Sequence, residues 1–174
     1  MTTALENERK FIISDVTAML ADVCNSALSR DTIYQHYNSG LTTRIRKRIS
    51  RSCTCGEVTT YTITQKSGLH ADLSRSEREM EMSADLFDML LDDTSLFTVH
   101  LKKIRICWNN PVDGLMWELD CIQEDDGSSF WLAEIELQSM DSTFHKPSWI
   151  GNEVTGDDRY MFVNIAQHGY PRGD

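Results

Sequence analysis

Pairs of acidic residues separated by one other residue recur along the chain. The pairs are Glu6 and Glu8, Glu118 and Asp120, and Glu134 and Glu136. Side chains of a β-strand alternate between its two faces, so in a strand each pair would lie on one face. Adjacent like charges repel one another and require a counter-ion. Paired carboxylates are the oxygen ligands that a hard divalent cation prefers, so this pattern indicates a metal site.

Basic residues follow the same alternation in other segments. Lys10 continues the face of Glu8, and the segments around residues 44–48, 75–81 and 103–105 add Arg44, Arg46, Arg75, Lys103 and Arg105. The acidic residues Glu77 and Glu79 share the face of Arg75. The guanidinium fork of arginine matches phosphate oxygens bidentately. Neither of the glycine-rich phosphate loops, GxxxxGK[ST] and GxGxxG, occurs, so bound phosphate would be held by side chains. The charges together predict a metal–phosphate site inside a polar-lined barrel.

Strands must carry these residues, and the alternation predicts six of them. Each strand has one almost wholly ionic face, which could also point at water in an open antiparallel sheet. We favour a shared interior because the sign of the charge is sorted by strand. Helical spacing of apolar residues predicts helices within Ser14–Ser29, Ser83–Leu91 and Tyr160–Gln167, with Ser14 or Asp15 capping the first.

The composition limits the class of protein. The 174 residues include 27 acidic and 17 basic residues, giving a formal net charge of −10. This balance argues against general nucleic-acid binding, and no apolar run approaches the roughly 20 residues of a membrane span. Five cysteines, an odd number without a visible secretory signal, predict a cytoplasmic protein without a disulfide framework.

Short motifs in order along nearly the whole chain resemble those of one known superfamily. ENERK (Glu6–Lys10) matches the ExExK signature of the CYTH, or triphosphate tunnel metalloenzyme, superfamily. Similar motifs follow as QHY (35–37), RIR (44–46), YTITQK (61–66), LSRSEREME (73–81), KIR (103–105), WELD (117–120) and LAEIEL (132–137). WIGNEVTGDDRY (149–160) closely resembles the tail of the small bacterial members. Phe162 departs from the pattern, since the family often has Asn there.

This resemblance implies a mainly β, α+β fold: an eight-stranded antiparallel β-barrel tunnel with helices packed outside. A single domain would cover residues 1–174. The implied function is divalent-metal-dependent hydrolysis of the terminal phosphate of inorganic triphosphate or a related organic triphosphate, with Mg²⁺ or Mn²⁺. A class IV adenylate cyclase, a thiamine or nucleoside triphosphatase, and a non-catalytic triphosphate- or nucleotide-binding module remain alternatives. The resemblance implies a small-molecule triphosphate as the partner and no membrane association, and a homodimer is compatible with the sequence.

The resemblance also implies roles for individual residues. Glu6, Glu8, Glu134 and Glu136 would be catalytic metal ligands, and Glu118 and Asp120 would help hold or orient the metal and its water. Phosphates would be bound by seven basic side chains, those of Lys10, Arg44, Arg46, Lys66, Arg75, Lys103 and Arg105. Glu77 and Glu79 would support them. The basic run after Arg46 leaves open that Arg48 replaces Arg44 or Arg46.

Overall fold

A computed structural model describes residues 2–52, 56–66, 75–124 and 126–171, without the side chains of residues 2–6, Lys66 and Arg75. The strands are β1 (Thr2–Glu6), β2 (Glu8–Ile13), β3 (Ala27–Tyr37), β4 (Thr43–Ser52), β5 (Gly56–Lys66), β6 (Arg75–Glu81), β7 (Val99–Asn109), β8 (Met116–Gln123), β9 (Ser129–Glu136) and β10 (Ile150–Glu153). The helices are α1 (Val16–Val23), α2 (Ala84–Asp92) and α3 (Phe162–His168), and a short 3-10 helix covers Asp158–Tyr160.

One antiparallel sheet contains all ten strands, in the order β1-β6-β5-β4-β3-β7-β8-β9-β2-β10. β1 and β2 are separated only by Asn7, yet they pair with strands at opposite ends of this order. The sheet must therefore curl until its two ends meet at residues 2–13. Taking β1 and β2 as one strand and setting β10 aside leaves eight positions around the tunnel. The predicted antiparallel, barrel-like tunnel with helices packed outside is confirmed, although strand pairing among the described residues does not close the sheet.

The main apolar core lies on the outer face of the barrel, because apolar and charged residues alternate along its strands. Phe11, Trp117 and Ile135 are almost fully buried and belong to one cluster with Met19 and Val23 of α1. Each of the three strand residues neighbours a charged residue that points the opposite way, as strand geometry requires. Packing of the outer face thus fixes which side chains enter the tunnel.

The first two helices confirm the predicted positions, although their bounds differ. The Asp15 carboxylate caps α1 by accepting a hydrogen bond of 2.9 Å from the Ala18 amide. This helix ends at Val23, well before Ser29, because the chain enters β3 at Ala27. Phe87 is the buried residue of α2 and contacts the ring of Tyr61 at a centroid distance of 5.2 Å.

The third helix closes the interior at one end of the barrel. Leu101, Ile122 and Leu132 lie two residues from Lys103, Asp120 and Glu134 on their strands, and therefore share the inward face. A second buried cluster, here called the apolar plug, joins these residues to the C-terminal segment and consists of Leu101, Ile122, Leu132, Tyr160 and Ile165. The plug excludes water from one side of the charged interior. None of the described helices is long and apolar enough to cross a membrane.

Candidate active site

A cavity of about 690 Å³ occupies the interior of the barrel. Its wall combines acidic and basic side chains from β2, β4, β6, β7, β8 and β9 with the turn at residues 154–157 and the start of α3. The charged residues that the alternation predicted to converge, and that line this cavity, are Glu8, Lys10, Arg44, Arg46, Glu77, Glu79, Lys103, Arg105, Glu118, Glu134 and Glu136.

Glu134 lies at the centre of a buried ion-pair network. Its carboxylate is 2.8 Å from the Lys10 ammonium and accepts a hydrogen bond of 2.7 Å from Nη2 of Arg105. Arg105 also donates to Asp120 from Nε at 2.7 Å and from Nη2 at 2.6 Å, and its Nη1 contacts Glu118. Lys103 donates to the same Asp120 at 2.8 Å. Each cation of this wall is therefore held in place by a carboxylate.

The network shifts the pKa values of its members. Burial would raise the pKa of Glu134, but Lys10, Lys103 and Arg105 hold it well below its usual value. Burial would lower the pKa of Lys10, yet Glu134 and Glu8 raise it. For Lys103, burial and the neighbouring Arg105 prevail over Asp120 and lower the pKa to about 7. Lys103 is thus the one cation among Lys10, Lys103 and Arg105 whose pKa lies below its usual value.

The opposite wall is built on β4, β5 and β6. Arg44 donates a hydrogen bond of 3.2 Å to Thr64, which in turn donates to Glu79 at 2.8 Å. The Arg44 guanidinium also lies 3.9 Å from Glu77 and 3.8 Å from Glu79. In the register of the sheet, Thr64 pairs with both Arg44 and Glu79. The three strands therefore bring these side chains together at one level of the tunnel.

Arg46 is the cation with the least compensation on this wall. Nη2 of Arg46 donates to the neutral amide oxygen of Gln35 at 3.2 Å, and within the described residues no carboxylate lies within 4.0 Å of its guanidinium. Its Nε is buried and has no hydrogen-bond partner in the described part of the chain. Burial, together with Arg44 and Arg105, lowers the pKa of Arg46 to about 10, so it remains charged at neutral pH. An anion in the cavity would supply the missing charge and acceptor.

The acidic wall fits a divalent cation. Glu8 and Glu136 face each other across β2 and β9, and Glu118 and Glu134 face each other across β8 and β9. Among the described side chains, no three carboxylates, imidazoles or thiols converge closely enough to hold a metal by themselves. Mg²⁺ usually binds through one or two carboxylates, water and substrate phosphates, which is the ligand set that this wall and a bound triphosphate would offer.

Some of the predicted site residues lie elsewhere. Asp120 is fully buried behind Lys103 and Arg105 and does not line the cavity. Arg48 donates to the buried Asp31 at 2.8 Å and lies outside the cavity wall. The side chains of Glu6, Lys66 and Arg75 lie outside the described part, although the register pairs the backbone of Glu6 with that of Arg75.

Several uncharged residues of the site were not predicted from the sequence. Thr64, Tyr37 and Tyr160 line the cavity, and Gln35 donates to the Tyr37 hydroxyl at 2.9 Å. Burial, opposed by Arg44, raises the pKa of Tyr37, so its phenol remains protonated. The alternation that marks charged residues also places Thr64 inward, but a threonine is common on any strand and carries no specific signal.

Comparisons with known proteins agree with this geometry. No protein-family model matches the chain. An inorganic triphosphatase of Nitrosomonas europaea is 32% identical over 163 residues, which cover 92% of this chain and 96% of that protein. An inorganic triphosphatase of Acetivibrio thermocellus is 35% identical over 104 residues, 59% of this chain, and the match spans only 64% of that protein's length.

A solved structure extends the agreement to the fold. The crystal structure of an inorganic triphosphatase matches with a TM-score of 0.57 at 26% identity, covering 92% of this chain and 93% of that chain. Both the sequence relationship and the fold therefore run across nearly the full described length. The chain belongs to the CYTH, or triphosphate tunnel metalloenzyme, superfamily, among the relatives of the inorganic triphosphatases.

Proposed function

We propose that the protein is a divalent-metal-dependent triphosphatase that hydrolyses the terminal phosphate of inorganic triphosphate. The observation that carries this proposal is the pair of buried guanidiniums, Arg44 and Arg46, each with an unpartnered Nε in the described structure and both on the cavity wall. Buried charges require partners, and a polyanion provides them. The names of the Nitrosomonas and Acetivibrio relatives agree with this substrate class.

The acidic wall, built on β2, β8 and β9, supports the catalytic part of the proposal. Simple anion binding would not require acidic residues, which repel phosphate. The cavity nevertheless includes the facing carboxylates of Glu8 and Glu136 and those of Glu118 and Glu134. We assign Glu8, Glu134 and Glu136 to holding Mg²⁺ or Mn²⁺ together with Glu6. When bound, such a cation supplies Lewis-acid stabilisation of charge on the phosphoryl oxygens.

The side chains of the cavity bind the phosphates and orient the attacking water. Phosphoryl transfer needs little covalent help, so the protein contributes mainly position and charge. Arg44, Arg46, Lys10 and Lys103 would bind the phosphates from two sides of the cavity. Lys66, Arg75 and Arg105 are assigned to the same role. A water molecule in line with the terminal phosphate would be oriented by a carboxylate of the acidic wall. Asp120 supports the reaction from behind, by fixing Lys103 and Arg105.

A direct assay tests this function. The purified protein is incubated with inorganic triphosphate, ATP or thiamine triphosphate, each with Mg²⁺ or Mn²⁺, and phosphate, pyrophosphate and cyclic AMP are measured. We expect phosphate from inorganic triphosphate and loss of that product when EDTA removes the cation. Pyrophosphate with cyclic AMP would instead identify a cyclase. Tight binding without any product would identify a binding module, and both of these results contradict the proposal.

Arg46→Ala is expected to raise the KM for inorganic triphosphate about 10- to 100-fold, since hydrogen bonds to a charged group contribute about 1.5–3 kcal/mol. The effect should fall mainly on substrate binding, because without a bound anion the positive charge of Arg46 has no carboxylate partner among the described residues. Steady-state kinetics with saturating metal measure it. The control is Arg51→Ala on the same strand, since Arg51 is exposed and pairs with Glu57. An unchanged KM in Arg46→Ala would refute this role.

Four further properties stay predictions. The cytoplasmic location predicted from the cysteines can be checked by fractionating cells that produce the protein. The absence of nucleic-acid binding and the single domain over residues 1–174 follow from charge and resemblance. A homodimer remains compatible with the sequence, and the molar mass in solution, measured by light scattering, decides the oligomeric state.

A further inference from the structure

Phe162 lies at the boundary between the apolar plug and the charged cavity. It is the first residue of α3, packs against the plug and lines the cavity. The helix that carries it is held by Ile165, which is buried in the plug. The position of the ring is therefore set by packing that does not involve the charged residues.

Two lysines of the site lie over this single ring. The Lys103 ammonium is 3.5 Å and the Lys10 ammonium 4.3 Å from the ring centroid. Both distances are well inside the roughly 6 Å range of cation–π attraction. Lys103 is on β7 and Lys10 on β2, and β8 and β9 separate these strands in the sheet. One aromatic ring thus connects two cations that the sheet holds apart.

The chemistry of this contact differs from that of an ion pair. A carboxylate neutralises an ammonium and competes with phosphate for it. The negative face of an aromatic ring attracts the ammonium but leaves its net positive charge in place. Lys103 is only 1% exposed, so the attraction acts with little screening by water. Lys10 and Lys103 already pair with Glu134 and Asp120, and the ring adds a further attraction to each ammonium without removing more of the positive charge offered to an anion.

We propose that Phe162 is a positioning residue, which holds the ammonium groups of Lys10 and Lys103 by cation–π contact so that both bind the same triphosphate. This inference rests on the proposed function, because it assigns the two lysines to phosphate binding. It adds a residue that the charge pattern does not contain. Phe162 acts through the lysines and takes no part in the chemical step.

Fluorination of the ring tests the proposal with little change in its size. Phe162 is replaced by mono-, di- and trifluorophenylalanine, which weaken the negative face stepwise. The dissociation constant of inorganic triphosphate is measured by calorimetry in EDTA, so that no divalent cation contributes. We expect the affinity to fall stepwise along the series, by roughly twofold to thirtyfold in total, which is the range that a cation–π contact supplies.

Phe130 is the matched control position. It packs against the same plug and stacks on Tyr170 at a centroid distance of 4.3 Å. Within the described residues no lysine or arginine lies over its ring. Trifluorophenylalanine at position 130 should leave triphosphate affinity unchanged. Constant or rising affinity along the Phe162 series would overturn the proposal, as would an equal fall at Phe130.

An NMR measurement on the unmodified protein provides a second test that needs no ligand and no variant at position 162. Protons above an aromatic face are shifted upfield, so the ε-methylene signals of Lys10 and Lys103 should stand apart from those of the other lysines. Lys10→Arg and Lys103→Arg assign the two signals. Unshifted signals would overturn the proposed contact. Failure of the unmodified protein to bind triphosphate would instead contradict the proposed function, so the two failures are distinguishable.

Discussion

Glu134→Gln is expected to lower metal-dependent turnover of inorganic triphosphate by at least about 100-fold, the scale of losing one preorganised electrostatic group. The amide keeps the shape of the side chain but removes the charge. Glu134 is only 3% exposed and contacts both Lys10 and Arg105. The substitution therefore removes an assigned metal ligand and, at the same time, the anion that holds two cations. Steady-state assays over a range of Mg²⁺ concentrations measure the effect.

The control for this variant is Glu153→Gln. Glu153 also forms a charged pair, with Arg9, but on β10 and outside the cavity wall. The turnover of Glu153→Gln should match that of the unmodified protein. Mn²⁺ affinity, followed by electron paramagnetic resonance, separates the two roles of Glu134, because only a lost metal ligand weakens it directly. Turnover within a few-fold of normal in both Glu134→Gln and Glu8→Gln would refute the assignment of the acidic wall.

The inward face of each strand could be predicted because it follows from a local rule. Alternation with period two places the side chains of Glu134 and Ile135 on opposite faces of their strand, whatever the rest of the chain does. The sign of the charge then distinguishes the acidic strands from the basic ones. The charge pattern also predicted a polar-lined barrel, but the number of its strands could be predicted only through the resemblance. The physical basis of closure is that β1 and β2, adjacent in the chain, pair with strands at opposite ends of the strand order, and these pairings are distant in sequence.

The sequence could not predict how deeply each inward side chain is buried in the tunnel. Glu118 and Asp120 form one acidic pair and share one face, so alternation treats them alike. In the structure the Glu118 side chain is 26% exposed on the cavity wall, whereas that of Asp120 is fully buried behind two cations. The difference arises from the register with β7, which pairs Asp120 with Arg105. The same limit applies to Phe162, whose contact with two lysines depends on how α3 packs.

Asp120→Asn is expected to lower the free energy of unfolding by about 3–5 kcal/mol, the usual cost of breaking a buried ion pair by removing one partner. Asp120 accepts hydrogen bonds from Lys103 and twice from Arg105, and all three residues are nearly inaccessible to water. An amide in place of the carboxylate removes the negative charge that pairs with the buried cations Lys103 and Arg105. Thermal unfolding should shift down by about 6 to 20 °C for a chain of this size.

A ligand-dependent recovery distinguishes this explanation from simple loss of packing. Inorganic triphosphate in EDTA brings negative charge to the side of Lys103 and Arg105 that faces the cavity. A ligand that binds only the folded state stabilises it, and the gain should be larger in Asp120→Asn than in the unmodified protein, because the uncompensated cations attract the anion more strongly. Glu57→Gln, which alters an exposed pair with Arg51, should change stability by less than about 1 kcal/mol. Equal stabilisation of both proteins by triphosphate would show that Asp120 supports the fold without tuning the charge offered to the substrate.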